Sequence, residues 1–95
     1  MTYVVLANFT DQGIKNIKDS PKRVDAMEQV IQKAGGKLIG FYATMGQYDL
    51  VMIAEGPSDE VAFTQLITMG MLGNVRTITL KAFTRQEYAK ILGKL

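Results

Sequence analysis

The chain has 95 residues, 47% of them apolar and 21% charged, with no cysteine, no histidine and a formal net charge of +2. A chain this short makes a single domain, 1–95, with a modest core that partner chains often extend. These figures exclude a disulfide framework, thiolate chemistry, an imidazole base and histidine-held zinc or heme, and so great a balance of charge argues against nucleic-acid or membrane binding. No metal or organic cofactor is expected, and a cysteine-free chain suits a reducing cytoplasm.

The first residues, MTYVVLANFTD, lack the basic start and long apolar run of a secretion signal. Thr2 to Phe9 is a β-branched and aromatic run that predicts a strand. Thr10 and Asp11 then offer capping oxygens for a short helical turn, DQGIKNIK. Ser20-Pro21 opens the first long helix, with serine as N-cap and proline at the first helical position. Val24, Met27, Val30, Ile31 and Ala34 follow at helical spacing, and Gly35-Gly36 stops it. Lys37 to Thr44 and Tyr48 to Glu55 read as strands around Met45-Gly46-Gln47. Pro57-Ser58 starts a second helix that Gly73 ends. Its apolar stretch is too interrupted and too short for the ~20 residues of a bilayer span. Asn74 to Phe83 is the fourth strand, and Thr84-Arg85-Gln86-Glu87 is a capping box for a short tail helix carrying Tyr88, Ile91 and Leu92.

The order β-α-β-β-α-β plus a tail helix predicts an α+β, ferredoxin-like fold: a four-stranded antiparallel sheet with helices on one face. A two-residue type II′ turn at Gly46-Gln47 would pair Met45 with Tyr48, Thr44 with Asp49 and Ala43 with Leu50. Alternation then puts Ile39, Phe41, Ala43, Met45, Tyr48, Leu50, Met52 and Ala54 under the helices. The outer face receives Leu38, Gly40, Tyr42, Thr44, Asp49, Val51, Ile53 and Glu55. On the first strand Tyr3, Val5, Ala7 and Phe9 are the core set, leaving Val4, Leu6 and Asn8 outside. On the fourth, Ile78, Leu80 and Ala82 are expected in the core and Thr77, Thr79 and Lys81 outside. A bare face of this kind exceeds what monomers tolerate, about 300–600 Å² of contiguous apolar surface. A homodimer packed sheet on sheet, or a higher oligomer built from it, is the expected solution.

Two kinds of function are compatible with this pattern. The first is a non-catalytic module that self-associates and binds a small apolar or anionic molecule, or simply mediates assembly. Its ligand would touch Asn8, Tyr42, Asp49, Arg76 and Lys81. The alternative is a cofactor-independent isomerase or monooxygenase acting on a small aromatic or enolisable substrate. There Asp49 is the base, Tyr42 or Tyr48 a hydrogen-bond donor, and Arg76 or Lys81 an anion anchor. Tyr48 and Asp49 are neighbours in a strand and face opposite ways, so two separate roles suit them better than one acid–base couple. Arg76 shares the parity of Ile78 and is expected near helix ends, paired with an acid. Lys22 and Arg23, in the first turn of a helix, are a candidate anion site, although a solvated basic surface explains them as well.

TDQGIKNIKDSPKR (10–23), GGKL-x-x-FY-x-TMGQYDLV (35–51) and LGNVRTITLKAFT (72–84) together resemble the GYD-domain family of small bacterial and archaeal proteins. The blocks stand in family order and span nearly the whole chain. The family's Gly-Tyr-Asp element has one residue inserted here, as Gly46-Gln47-Tyr48-Asp49. The resemblance implies a dimeric α+β barrel of ferredoxin-like protomers and assigns no reaction. Proteins of similar architecture include monooxygenases, isomerases and ligand-sensing domains, an analogy of fold alone.

Overall fold

The computed structural model describes residues 1–95. Strand β1 (Thr2–Phe9) leads into helix α1 (Asp11–Lys15), a 3-10 turn at Ile17–Asp19 and helix α2 (Ser20–Lys33). Strands β2 (Lys37–Ala43) and β3 (Leu50–Glu55), helix α3 (Asp59–Met71), strand β4 (Val75–Ala82) and helix α4 (Arg85–Leu92) complete the chain. The strands form one antiparallel sheet in the order β2-β3-β1-β4, so the chain has the expected α+β, ferredoxin-like arrangement. None of the helices is long and apolar enough to cross a membrane.

The helix starts follow from local chemistry. Ser58 accepts the Val61 N–H at the start of α3, and Thr84 and Glu87 close the capping box of α4. For α2 the expectation fails by one residue: Ser20 is already helical, Asp19 is the N-cap without a side-chain bond, and Pro21 follows. The 3-10 turn delivers the chain in helical conformation, which leaves nothing for a serine cap to satisfy.

Helix α2 rests on β2 and α3 on β4, the two edge strands, on the same side of the sheet. The buried core lies on the central strands between them: Tyr3, Val5 and Ala7 of β1 with Leu50 and Met52 of β3, joined by Ile31 of α2. The β1 and β3 assignments thus hold.

Two assignments on the edge strands do not. On β2, the register slips between Leu38 and Gly40, so Leu38 faces Ala54 while Gly40 faces Ile53. Ile39 is the extra residue of a bulge, and it stands 48% exposed. Leu38 therefore lies beneath the helices, packed on the core, rather than on the outer face. On β4 the whole row is inverted. Val4 pairs with Leu80 and Leu6 with Ile78, so Ile78 and Leu80 share the outer face with them and are about half exposed. Thr77, Thr79 and Lys81, opposite Ala7, Val5 and Tyr3, form the row on the helix side.

Gly13 has the least room for a side chain of any glycine in the chain. A β-carbon there would stand 2.0 Å from the Asn74 carbonyl oxygen. The surrounding bonds fix that approach: Thr10 donates its N–H to Asn74 O at 3.1 Å and its hydroxyl to Gly73 O, while accepting the Gly13 N–H. Gly13→Ala should therefore destabilise the fold by about 1–3 kcal/mol or more, the usual cost of overpacking. Urea unfolding measures this, and an unchanged midpoint would show that α1 is free to move.

Candidate functional site

The segment around Gly46-Gln47-Tyr48-Asp49 is a wider loop than a type II′ hairpin. β2 ends at Ala43 and β3 begins at Leu50, and the closing backbone bond runs from Thr44 N–H to Asp49 O at 2.9 Å. The Thr44 hydroxyl donates to Tyr48 O, leaving Met45 to Tyr48 as the loop. Gly46 takes φ +135°, where a side chain would be strained, and Met45 is fully exposed at the tip, outside the core set where alternation placed it.

Asp49 is a fastener between strands. Its N–H donates to Ala7 O at 3.0 Å and to Asn8 Oδ1 at 3.2 Å, and its carboxylate Oδ2 accepts the Phe9 N–H at 2.9 Å. The bonds extend the β1–β3 pairing past the point where the backbones diverge. The carboxylate thus serves a main-chain amide, and Asp49 lines neither the cleft beneath α2 and α3 nor the one beside Pro21 and Phe41. Tyr48 is half-buried in the loop, and Tyr42 is 60% exposed on the outer sheet face, its ring over Gly40.

The outer face is ordered in cross-strand rows. Tyr42, Val51, Leu6 and Ile78 make one, and Gly40, Ile53, Val4 and Leu80 the next. Asn8 pairs with Arg76 beyond the first row and joins Asp49, so these three of the expected ligand contacts do meet. Arg76 lies exposed on this face and forms no ion pair; the expectation of an acid partner near the helix ends fails because β4 is inverted. Lys81 is not on this face at all.

Lys81 belongs to a constellation that sequence reasoning missed. Its ammonium bonds Asp59 Oδ2 at 2.8 Å, and the Tyr3 hydroxyl donates to Asp59 Oδ1 at 2.6 Å. The start of α3 is thereby fixed to β1 and β4. Burial first, then the Asp59 carboxylate, pushes the Tyr3 phenol up to about 12. The hydrogen bond from Lys81, then that from Tyr3, holds the Asp59 carboxyl below its ordinary value. The available signal was the acidic first turn of α3, which seeks a cation or donor, but Lys81 was expected on the outer face, away from it.

On the helix side, α2 and α3 stand apart over the central strands and enclose an apolar cleft of about 770 Å³. Met27, Leu66 and Met69 project from the helices, and Val5, Leu50 and Met52 form its floor. Arg23 lines this cleft, while Lys22 is exposed and does not line it.

Asp49→Ala should cost about 1.5–3 kcal/mol, the worth of a hydrogen bond to a charged group, and Asp49→Asn less, since an amide oxygen still accepts. Urea unfolding of both variants checks this; neutral substitutions would show the Phe9 bond to be incidental. Because folding raises the Tyr3 pKa from 10.0, the neutral phenol is favoured in the fold. Its contribution is whole below pH 10 and is lost as pH climbs towards 12. In an absorbance titration, the phenolate step missing from Tyr3→Phe should be centred near pH 12; a missing step near pH 10 would contradict the buried bond.

The sequence matches the GYD domain family over residues 3–92. It is also similar to the glutamine synthetase and cystathionine beta-lyase binding protein of Thermus thermophilus, 28% identical over 82 residues that cover 85% of this chain and 86% of the relative. A match from the first strand to the last helix, on a sheet with the strand order described above, means that the chain belongs to the GYD domain family.

Proposed function

We propose that this chain is a non-catalytic, homodimeric binding module whose two copies cover each other's outer sheet faces and offer their helices to a partner protein. The observation that carries the reading is the pair of apolar rows on that face, with Val4, Leu6, Val51 and Ile53 on the central strands. Each such side chain gains roughly 1.5–3 kcal/mol when fully withdrawn from water. A stable interface covers about 800 Å² on each partner, and the end helix adds to what the sheet supplies. Helix α4 has eight residues, all exposed, with Tyr88, Ile91 and Leu92 on one side. So short a helix does not hold in water without something to pack against, and a second copy supplies it.

A further apolar stripe runs along the solvent side of α3, where Phe63, Ile67 and Met71 recur every fourth residue and are all exposed. Helical spacing of this kind suits docking against another protein. The Thermus thermophilus relative is named for binding two enzymes, which supports reading the stripe as the partner surface. The base reading of Asp49 has no comparable support, since its carboxylate is engaged by Phe9.

Sedimentation velocity at micromolar concentration should give a dimer, and Leu6→Glu a folded monomer. Immobilised chain should retain purified glutamine synthetase or cystathionine beta-lyase from the same host, and Phe63→Glu with Ile67→Glu should abolish capture without splitting the dimer. A monomeric parent chain would contradict the assembly, and undiminished capture by the double variant would remove the stripe from it.

A further inference from the structure

The helix-side cleft has a feature that self-association through the opposite face leaves unexplained. Arg23, one turn into α2, donates from Nη1 to Asn16 O at 3.2 Å, but its Nη2 is buried and has no hydrogen-bond partner. It is the sole buried side-chain nitrogen or oxygen left so, and the molecule's one salt bridge, Lys81–Asp59, lies elsewhere. Buried donors are almost always satisfied, and a guanidinium offers a carboxylate two parallel N–H groups. The acids that line the cleft, Glu55 and Glu60, stand at its other end, where β3 finishes and α3 begins. At the Arg23 end, shared with Ser20 and Asn74, no acid lines the cleft and the guanidinium forms no ion pair, beside an apolar interior.

We propose that this cleft binds a small amphipathic monocarboxylate, such as a medium-chain fatty acid, with the carboxylate on Arg23 and the apolar body between α2 and α3. The volume of about 770 Å³ lies within the ~300–1,000 Å³ typical of small-molecule sites. Met27 and Met69, on facing helices, give walls that adapt to a flexible chain. Lys22 takes no part. The anion site expected near the start of α2 thus reduces to one cation, and the ligand lies on the opposite side of the sheet from the Asn8–Arg76 row.

Calorimetric titration of the full chain with decanoate, and with decan-1-ol as its uncharged counterpart, tests this. One decanoate per chain should bind, with the alcohol ~10-fold weaker or more, as expected for loss of a charge-assisted contact. Arg23→Gln should bring decanoate down to the level of the alcohol and leave the alcohol unchanged. Arg23→Lys should retain part of the difference, and Met69→Trp, folded by circular dichroism, should lose both ligands. No binding by the parent chain, as when α4 of a second copy fills the cleft, would overturn the proposal, and so would decanoate binding that Arg23→Gln leaves intact. Monomeric Leu6→Glu should still bind decanoate, so failure here and failure of the dimer are separately visible.

Discussion

The sheet carries apolar side chains on both faces, yet the two long helices cover only one of them. The strands are short and, apart from the bulge at Ile39, their alternation is strict, so a residue that leaves the helix side enters the other face. The inversion of β4 sharpens this. Ile78 and Leu80 join Val4, Leu6, Val51 and Ile53 outside, and the helices receive Thr77, Thr79 and Lys81 in their place. The side of the sheet without helices is thus at least as apolar along β4 as the side with them. This is the face that the proposed second copy would cover.

Polar fasteners at the ends of the elements hold this arrangement in place. Asp59 ties the start of α3 to Tyr3 and Lys81, and Gln12 donates to Leu72 O at 3.0 Å near its end. Asp49 joins the ends of β1 and β3. With α3 pinned over one edge strand and α2 resting on the other, the helices stand apart over the centre, and the cleft is the consequence. The same geometry that leaves the core thin makes room for a ligand beside Arg23. The conspicuous Gly46–Asp49 segment contributes architecture, while the buried unpaired donor and the Tyr3–Asp59–Lys81 bonds fall on residues with no motif to advertise them.

Much of this was legible in the sequence because local rules decide it. Glycine stops, serine and threonine caps and the alternation of TYVVLANF fix the elements, their order and the inward row of β1. The bulge at Ile39 was not legible, since nothing in KLIGFYA marks which residue is extra. Nor was the facing of β4. Choosing the more apolar row for the core is sound when only one face carries apolar residues, and it misleads when both do. That single inversion accounts for Lys81 lying on the helix side and for the absence of an acid beside Arg76. The cleft depends on where helices settle over the sheet, a tertiary matter that spacing along the chain does not encode.

Isotope-filtered NMR on a mixture of labelled and unlabelled chains probes the outer face directly. Methyl groups of Leu6, Val51, Ile53 and Ile78 should show intermolecular contacts with one another across a sheet–sheet seam. Contacts confined within one chain, or intermolecular contacts reaching only helix methyls while these four stay open to water, would contradict the account.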